Sequence, residues 1–341
     1  MNNNPLKNRE YFLDIAKGIG ISFVILDHSA IGKSIINYTY VFNIPLFFFI
    51  AGYLLNLNKY QNYWQFLKSR LKNILIPYLG LSIISIVFYK FYYRMPMYDY
   101  ATMFNMLKVL VIATRNQIFY NIPLWFLPTL FVTENIFYWI RKINHQWWEW
   151  TVILILGVSF VVAWDTVYNP KLFWTIDSGC FYLVFLALGY YIKNQTINIK
   201  NLNNRIKNIM FIGALMINSL VIYNKAWFEK IFRNKIILNN GVLYFVSLVI
   251  LAMAGIYVVL KLSKIIGHSK ILEFIGRNSL TFFGLHVLIF WILDKIFKPM
   301  TFWQNKILLL SVIYTIITMA IIALLIAPLK KYWPWIFGRN T

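Results

Sequence analysis

Apolar residues run through the chain in blocks of about 20, the length at which a helix crosses a hydrocarbon core roughly 30 Å thick. Ten such blocks can be read, at 12–31, 38–56, 74–93, 122–140, 147–164, 174–192, 207–223, 240–260, 279–297 and 307–327. The polar stretches between them are mostly short, and none reads as a separate soluble unit. The pattern predicts an all-α polytopic membrane protein with about ten transmembrane helices in one bundle. Residues 1–341 are expected to form a single domain with no appended soluble part. The first block is too long for the apolar core of a signal peptide, carries ionisable residues and runs almost directly into a second block, so it reads as an uncleaved helix.

Composition supports this: 60% of residues are hydrophobic and only 13% charged, poor figures for a soluble domain. The formal net charge is +22. With an even number of spans, nineteen Lys and Arg residues fall on the side of the termini and thirteen on the other, which predicts cytoplasmic termini by the positive-inside rule. Such a charge distribution is topological and requires no nucleic acid partner. Cys180 is the single cysteine, and the four histidines show no metal-ligand spacing, so neither an internal disulfide nor a metal site is expected.

The candidate chemistry lies in the polar residues kept inside apolar blocks. A charge in the bilayer costs on the order of 3 kcal/mol or more, so such residues face a protein interior or a watery cavity. The first block holds Asp14, Lys17, Asp27 and His28. Lys17 and His28 are eleven residues apart, which on a helix is three turns plus roughly 20°, placing both on one face about 16 Å apart along the axis. Asp14 is spaced to pair with Lys17, while Asp27 points about 100° away from His28 and is expected to matter less. In the ninth block, Asn278 or Ser279 is a plausible helix start, and His286 shares a face with Ser279. The two intramembrane histidines could meet in one cavity or serve separately as interhelical hydrogen bonders. Lys68, Arg70 and Lys72 precede the third block, where they either anchor the helix end or hold a phosphate ligand. His145 and His268 fall in loops.

Taken in order, YFLDIAKGIGISFVILDH, FNIPLFFFIAGYL, RLKNILIPY, IPLWFLPTLFVTE, LGYYIKN and IGRNSLTFFGLH resemble the acyltransferase family 3 proteins, integral-membrane enzymes that O-acylate bacterial surface glycans. The stand-alone sugar O-acetyltransferases similar to fucose 4-O-acetylases are the nearest in style. Lys17 and His28 meet the family's spacing of a basic residue, ten residues and a histidine. Two positions depart from its pattern: Asn73 stands where members often have a second Arg, and Asn43 where many have His.

The resemblance implies a cell-membrane enzyme of bacterial type that uses acetyl-CoA as acyl donor and a surface or lipid-linked glycan as acceptor. It implies no metal, and the oligomeric state is not readable. It casts His28, Lys17, Asp14 and His286 as catalytic, and Lys68, Arg70 and Lys72 as donor-binding. Asn43, Trp125, Glu134 and Ser279, all within the shared motifs or next to them, fall on the substrate side. Acyl transfer to a hydroxyl needs a base and an oxyanion stabiliser, and His28 suits the first task either directly or as a transient acyl carrier. The rival reading is a secondary transporter or glycan flippase, for which inverted repeats or matching broken helices would be the sign. Pro45, Pro77 and Pro128 all lie in the first half.

Overall fold

In the computed structural model, residues 10–29, 33–93, 100–115, 117–164, 172–194, 203–223, 241–297 and 307–337 are described, and every regular element among them is helical. In chain order they are α1 (Tyr11–His28), α2 (Lys33–Leu54), α3 (Tyr63–Arg70), α4 (Ile76–Tyr92), α5 (Tyr100–Ile112), α6 (Phe126–Ile140) and α7 (Gln146–Trp164). The second half comprises α8 (Ile176–Lys193), α9 (Asn204–Tyr223), α10 (Gly241–Ile266), α11 (Lys270–Arg277), α12 (Ser279–Phe297), α13 (Ile307–Tyr332) and α14 (Pro334–Phe337).

Each of the ten apolar blocks contains a helix, but the count of crossings is a separate matter. Among the described residues, five helical stretches are long and apolar enough to cross a membrane: Tyr63–Tyr92, Phe173–Lys193, Gly241–Ile266, Ser279–Phe297 and Leu309–Tyr332. Helix α1 is 18 residues long but holds Asp14, Lys17 and Asp27, and α6 has only 15 residues. The periodicity did not anticipate the short helices α3, α5 and α11. Helix α3 joins α4 through a π-helical turn, Leu71–Leu75, so the basic cluster rides on a helix continuous with the third apolar block. The ends of the first and eighth blocks, at 30–31 and 240, lie outside the described residues, as do the basic stretches 224–240 and 298–306 and the outermost cations Lys7, Arg9 and Arg339.

Helix α8 is the centre of the packing, with nearly every residue from Asp177 to Tyr191 buried. Its broadest contact is with α2, where Phe48 and Tyr182 stack with ring centroids 4.6 Å apart. The start of α1 gathers the ends of three other helices: Glu10 pairs with Lys193 of α8 at 2.6 Å, and Phe12 meets Tyr53 of α2 and Lys264 of α10. Helix α11 lies against this part of α1 so closely that a Cβ on Gly276 would stand 1.8 Å from the Asp14 carbonyl oxygen. Ten residues on from Gly276, His286 of α12 meets His28, fourteen residues on from Asp14. Helices α1 and α12 therefore run side by side in the same direction.

The close approach at Gly276 generates a test. Gly276→Ala should lower the thermal stability of the detergent-solubilised protein by the roughly 1–3 kcal/mol typical of overpacking. Gly213→Ala in α9, with nothing within 4 Å of the added Cβ, should leave it unchanged or slightly raise it. Melting curves followed by size-exclusion chromatography measure both.

Candidate active site

Two histidines from different helices meet at the centre of the site. His28 ends α1 and His286 sits within α12, with their rings edge to face and centroids 5.1 Å apart. The Nδ1 of His28 lies 2.8 Å from the Val24 carbonyl, and the Nδ1 of His286 lies 2.8 Å from that of Phe283. A carbonyl oxygen only accepts, so both rings carry their proton on Nδ1 and present Nε2 as the basic nitrogen. His286 is fully buried and its Nε2 has no hydrogen-bond partner among the described residues, whereas His28 is half-buried.

His28 lines two cavities. The first, about 760 Å³ out to its open mouth, is bounded by Ile21, Val24 and Asp27 of α1, Asn43, Ile44 and Phe47 of α2, the turn Pro123–Trp125, and Ser279, Leu280 and Phe283 of α12. Its wall is mostly hydrocarbon and aromatic. The second, about 820 Å³, begins at His28 and Ser29 and continues along Val287, Phe290, Trp291 and Asp294 of α12 to Tyr314 of α13. Because α1 and α12 run in the same direction, the first cavity lies toward the start of both helices and the second toward their ends. His28 stands at the junction.

A polar group from α2 closes one side. The Asp27 carboxylate accepts hydrogen bonds from the Thr39 hydroxyl and, at 3.0 Å, from the Asn43 amide. All three residues are buried. The 100° offset that sets Asp27 apart from His28 on the helix directs it toward α2, and it lines the first cavity beside His28. Thr39 and Asn43, four residues apart on one helix face, are the sequence signal that could have shown this.

The sequence also gave no sign of Arg115. Although it falls between helices, Arg115 is only 7% exposed, lies within electrostatic reach of His28 and places its guanidinium 4.9 Å over the Trp125 ring. Its backbone N–H donates to Thr175 Oγ, and the Thr114 hydroxyl donates to the Leu172 carbonyl. Ala113, Trp174 and Thr175 take positive φ angles of 49° to 52°, which non-glycine residues seldom adopt, so the hydrogen bonds between the two connections offset local strain as they hold Arg115 in place. Asn121 extends this scaffold, its amide donating to Ser85 of α4 and to the Gly284 carbonyl of α12.

The structure does not bring every candidate together. Trp125, Asn43 and Ser279 line the first cavity with His28. Lys17 and Asp14 do not; they pair at 2.8 Å near the start of α1, where Arg277 also reaches Asp14 at 3.4 Å. Glu134 is likewise apart from the histidines. It accepts from Arg70 at 3.0 Å, while Arg70 also donates to the Tyr60 hydroxyl at 2.7 Å, fixing α3 to α6. Lys68 and Lys72 are exposed on either side of Arg70. Among the described residues, no group of three His, Cys, Asp or Glu residues is placed to hold a metal ion.

The helical bundle thus places one histidine in the walls of two cavities. Residues 10–327 match the acyltransferase domain of acyltransferase family 3, and the chain belongs to that family: it is a membrane acyltransferase. No curated protein and no solved structure matches it.

The Arg70–Glu134 pair makes a prediction of its own. Removing one partner leaves an uncompensated buried charge, so Arg70→Met or Glu134→Leu alone should cost about 3–5 kcal/mol of stability, while the double variant should recover most of it. A double-mutant cycle on melting temperatures reads the coupling. Additive losses would leave the pair with no structural role.

Proposed function

We propose that this protein moves an acetyl group from acetyl-CoA to a hydroxyl of a surface or lipid-linked glycan, with Nε2 of His28 as the base that takes the hydroxyl proton or as a transient acyl carrier. The observation that carries the reading is the position of His28 where the two cavities meet. A donor in one and an acceptor in the other would both reach the same nitrogen, which is the proximity that acyl transfer needs. Family membership favours this over a transporter or flippase.

With the termini cytoplasmic, the first cavity would lie on the side where acetyl-CoA is made and the second on the side of the cell surface. The apolar wall of the first suits the acyl thioester end of the donor. Its phosphates would lie on the exposed cations Lys68 and Lys72, with Arg70 as the fixed point between them. Lys17, paired with Asp14 about 16 Å along α1 from His28, guides the donor at the entrance rather than touching the reacting atoms. Arg115 supplies the positive charge that stabilises the oxyanion as the thioester carbonyl is attacked. His286 holds the His28 ring in place.

His28→Ala should abolish glycan acetylation, a loss on the order of 10²-fold or more, while the protein stays in the membrane at normal abundance. Mass spectrometry of envelope glycans against a deletion strain measures it, and retained acetylation would refute the assignment. Lys68→Ala with Lys72→Ala should weaken acetyl-CoA binding without changing the acceptor. Unchanged affinity in a filter-binding assay would return both lysines to helix anchoring.

A further inference from the structure

A circuit of contacts through four helices surrounds the first cavity. Phe47 of α2 lies against α1 at Gly20, where an added Cβ would stand 3.3 Å from its ring. Phe47 meets Phe126 of α6 edge to face at 6.1 Å, Phe126 meets Phe283 of α12 at 5.7 Å, and Phe283 lies 6.4 Å from His286. His286 returns the circuit to α1 at His28. All three phenyl rings line the cavity and are half-buried, packed on one side and open to the cavity on the other. Phe126 is braced from behind by the fully buried Phe48, 5.2 Å away. With Ile21, Val24 and Leu280 the rings make a hydrocarbon collar, and Asp27, His28 and Asn43 stand at one end of it. Gly20 is eight residues before His28, so the collar reaches back about 12 Å along α1.

Water inside such a wall gives up hydrogen bonds and gains none, so an apolar collar stays dry and blocks ions and protons without closing sterically. The bundle has a use for that. His28 belongs to the walls of both cavities, so a wetted first cavity would bring water and protons to a titratable ring that also borders the second. We propose that Phe47, Phe126 and Phe283 form a hydrophobic seal that keeps the first cavity dry when no donor fills it, so that neither bulk water nor protons reach His28 from that side. A slender uncharged chain passes the collar where a hydrated ion does not. The barrier goes beyond the acyl-transfer reading, and one consequence rests on that reading. With water excluded, the thioester carbonyl is attacked by the acceptor hydroxyl and not by water, whose attack would break the C–S bond to give acetate and coenzyme A thiol.

The test places the full-length protein in vesicles of phosphatidylethanolamine and phosphatidylglycerol that trap a pH-sensitive dye. Valinomycin and potassium hold the membrane potential at zero while acid is added outside. Phe47→Ser with Phe126→Ser wets the collar, and Phe47→Leu with Phe126→Leu keeps it apolar. Phe126→Ser alone is the milder opening where the double variant does not survive solubilisation, and size-exclusion chromatography selects folded protein in every case. Proton influx should stay within about twofold of protein-free vesicles for the wild type and the Leu pair, and should rise about tenfold or more in the Ser variants. In detergent, with acetyl-CoA and no acceptor, the Ser variants should release acetate about tenfold faster than the wild type. Influx through the Ser variants no greater than through the wild type would overturn the seal, as would a Leu pair that leaks as much as the Ser pair. Raised influx without raised acetate release would uphold the seal and count against the acyl-transfer reading.

Discussion

A polar side chain inside an apolar bundle must find its partner on a neighbouring helix, and that constraint organises the fold around the site. Water is not there to satisfy it, and an unpaired buried group costs several kcal/mol. Asp27 therefore ties α1 to α2 through Thr39 and Asn43, and Glu134 ties α6 to α3 through Arg70. Asn121 ties the turn before α6 to α4 and α12. Each link is a specific geometric instruction where apolar packing alone would tolerate sliding. The Arg277–Asp14 pair and the close approach of Gly276 then set α1 against the segment that leads into α12, and hence His28 beside His286.

His286 is one departure from full satisfaction; Asn43 Oδ1 and Asn121 Oδ1 are others near the same site. The Nδ1 of His286 is used by the backbone, yet its buried Nε2 has no hydrogen-bond partner among the described residues. Unsatisfied buried groups are uncommon and concentrate where strain or chemistry is maintained. The strained connections at Ala113 and at Trp174–Thr175 converge on the same region and carry Arg115 to the Trp125 ring. The site is thus assembled from rigid helix ends and braced connections, which suits a reaction that depends on holding two substrates in register.

Much of this was legible in the sequence, and the parts that were not share a cause. Apolar block length located helices in all ten blocks, because the bilayer imposes a period the sequence must obey. It could not give the count of crossings, since α1 gives up hydropathy to keep its charges and α6 is short. His28 and His286 stood out because an intramembrane histidine is conspicuous. The partners of Asp27 were not legible, because helical spacing within α1 says nothing of what α2 presents to it. Arg115 was hidden among loop cations, since its burial follows from how two distant connections brace one another. Lys17 lies in an ion pair near the start of α1, while His28 stands at the cavity junction near its end.

The central claim is that one histidine serves two cavities, one lined from the starts of α1 and α12 and the other from their ends. Reconstituted vesicles test it most directly, with radiolabelled acetyl-CoA sealed inside, glycan extracted from a deletion strain supplied outside, and orientation scored by protease accessibility of the N-terminus. The account predicts that label crosses to the external glycan only in vesicles whose N-terminal face is inward, and that His28→Ala stops it. Label appearing on glycan only when donor and glycan share a compartment would contradict it.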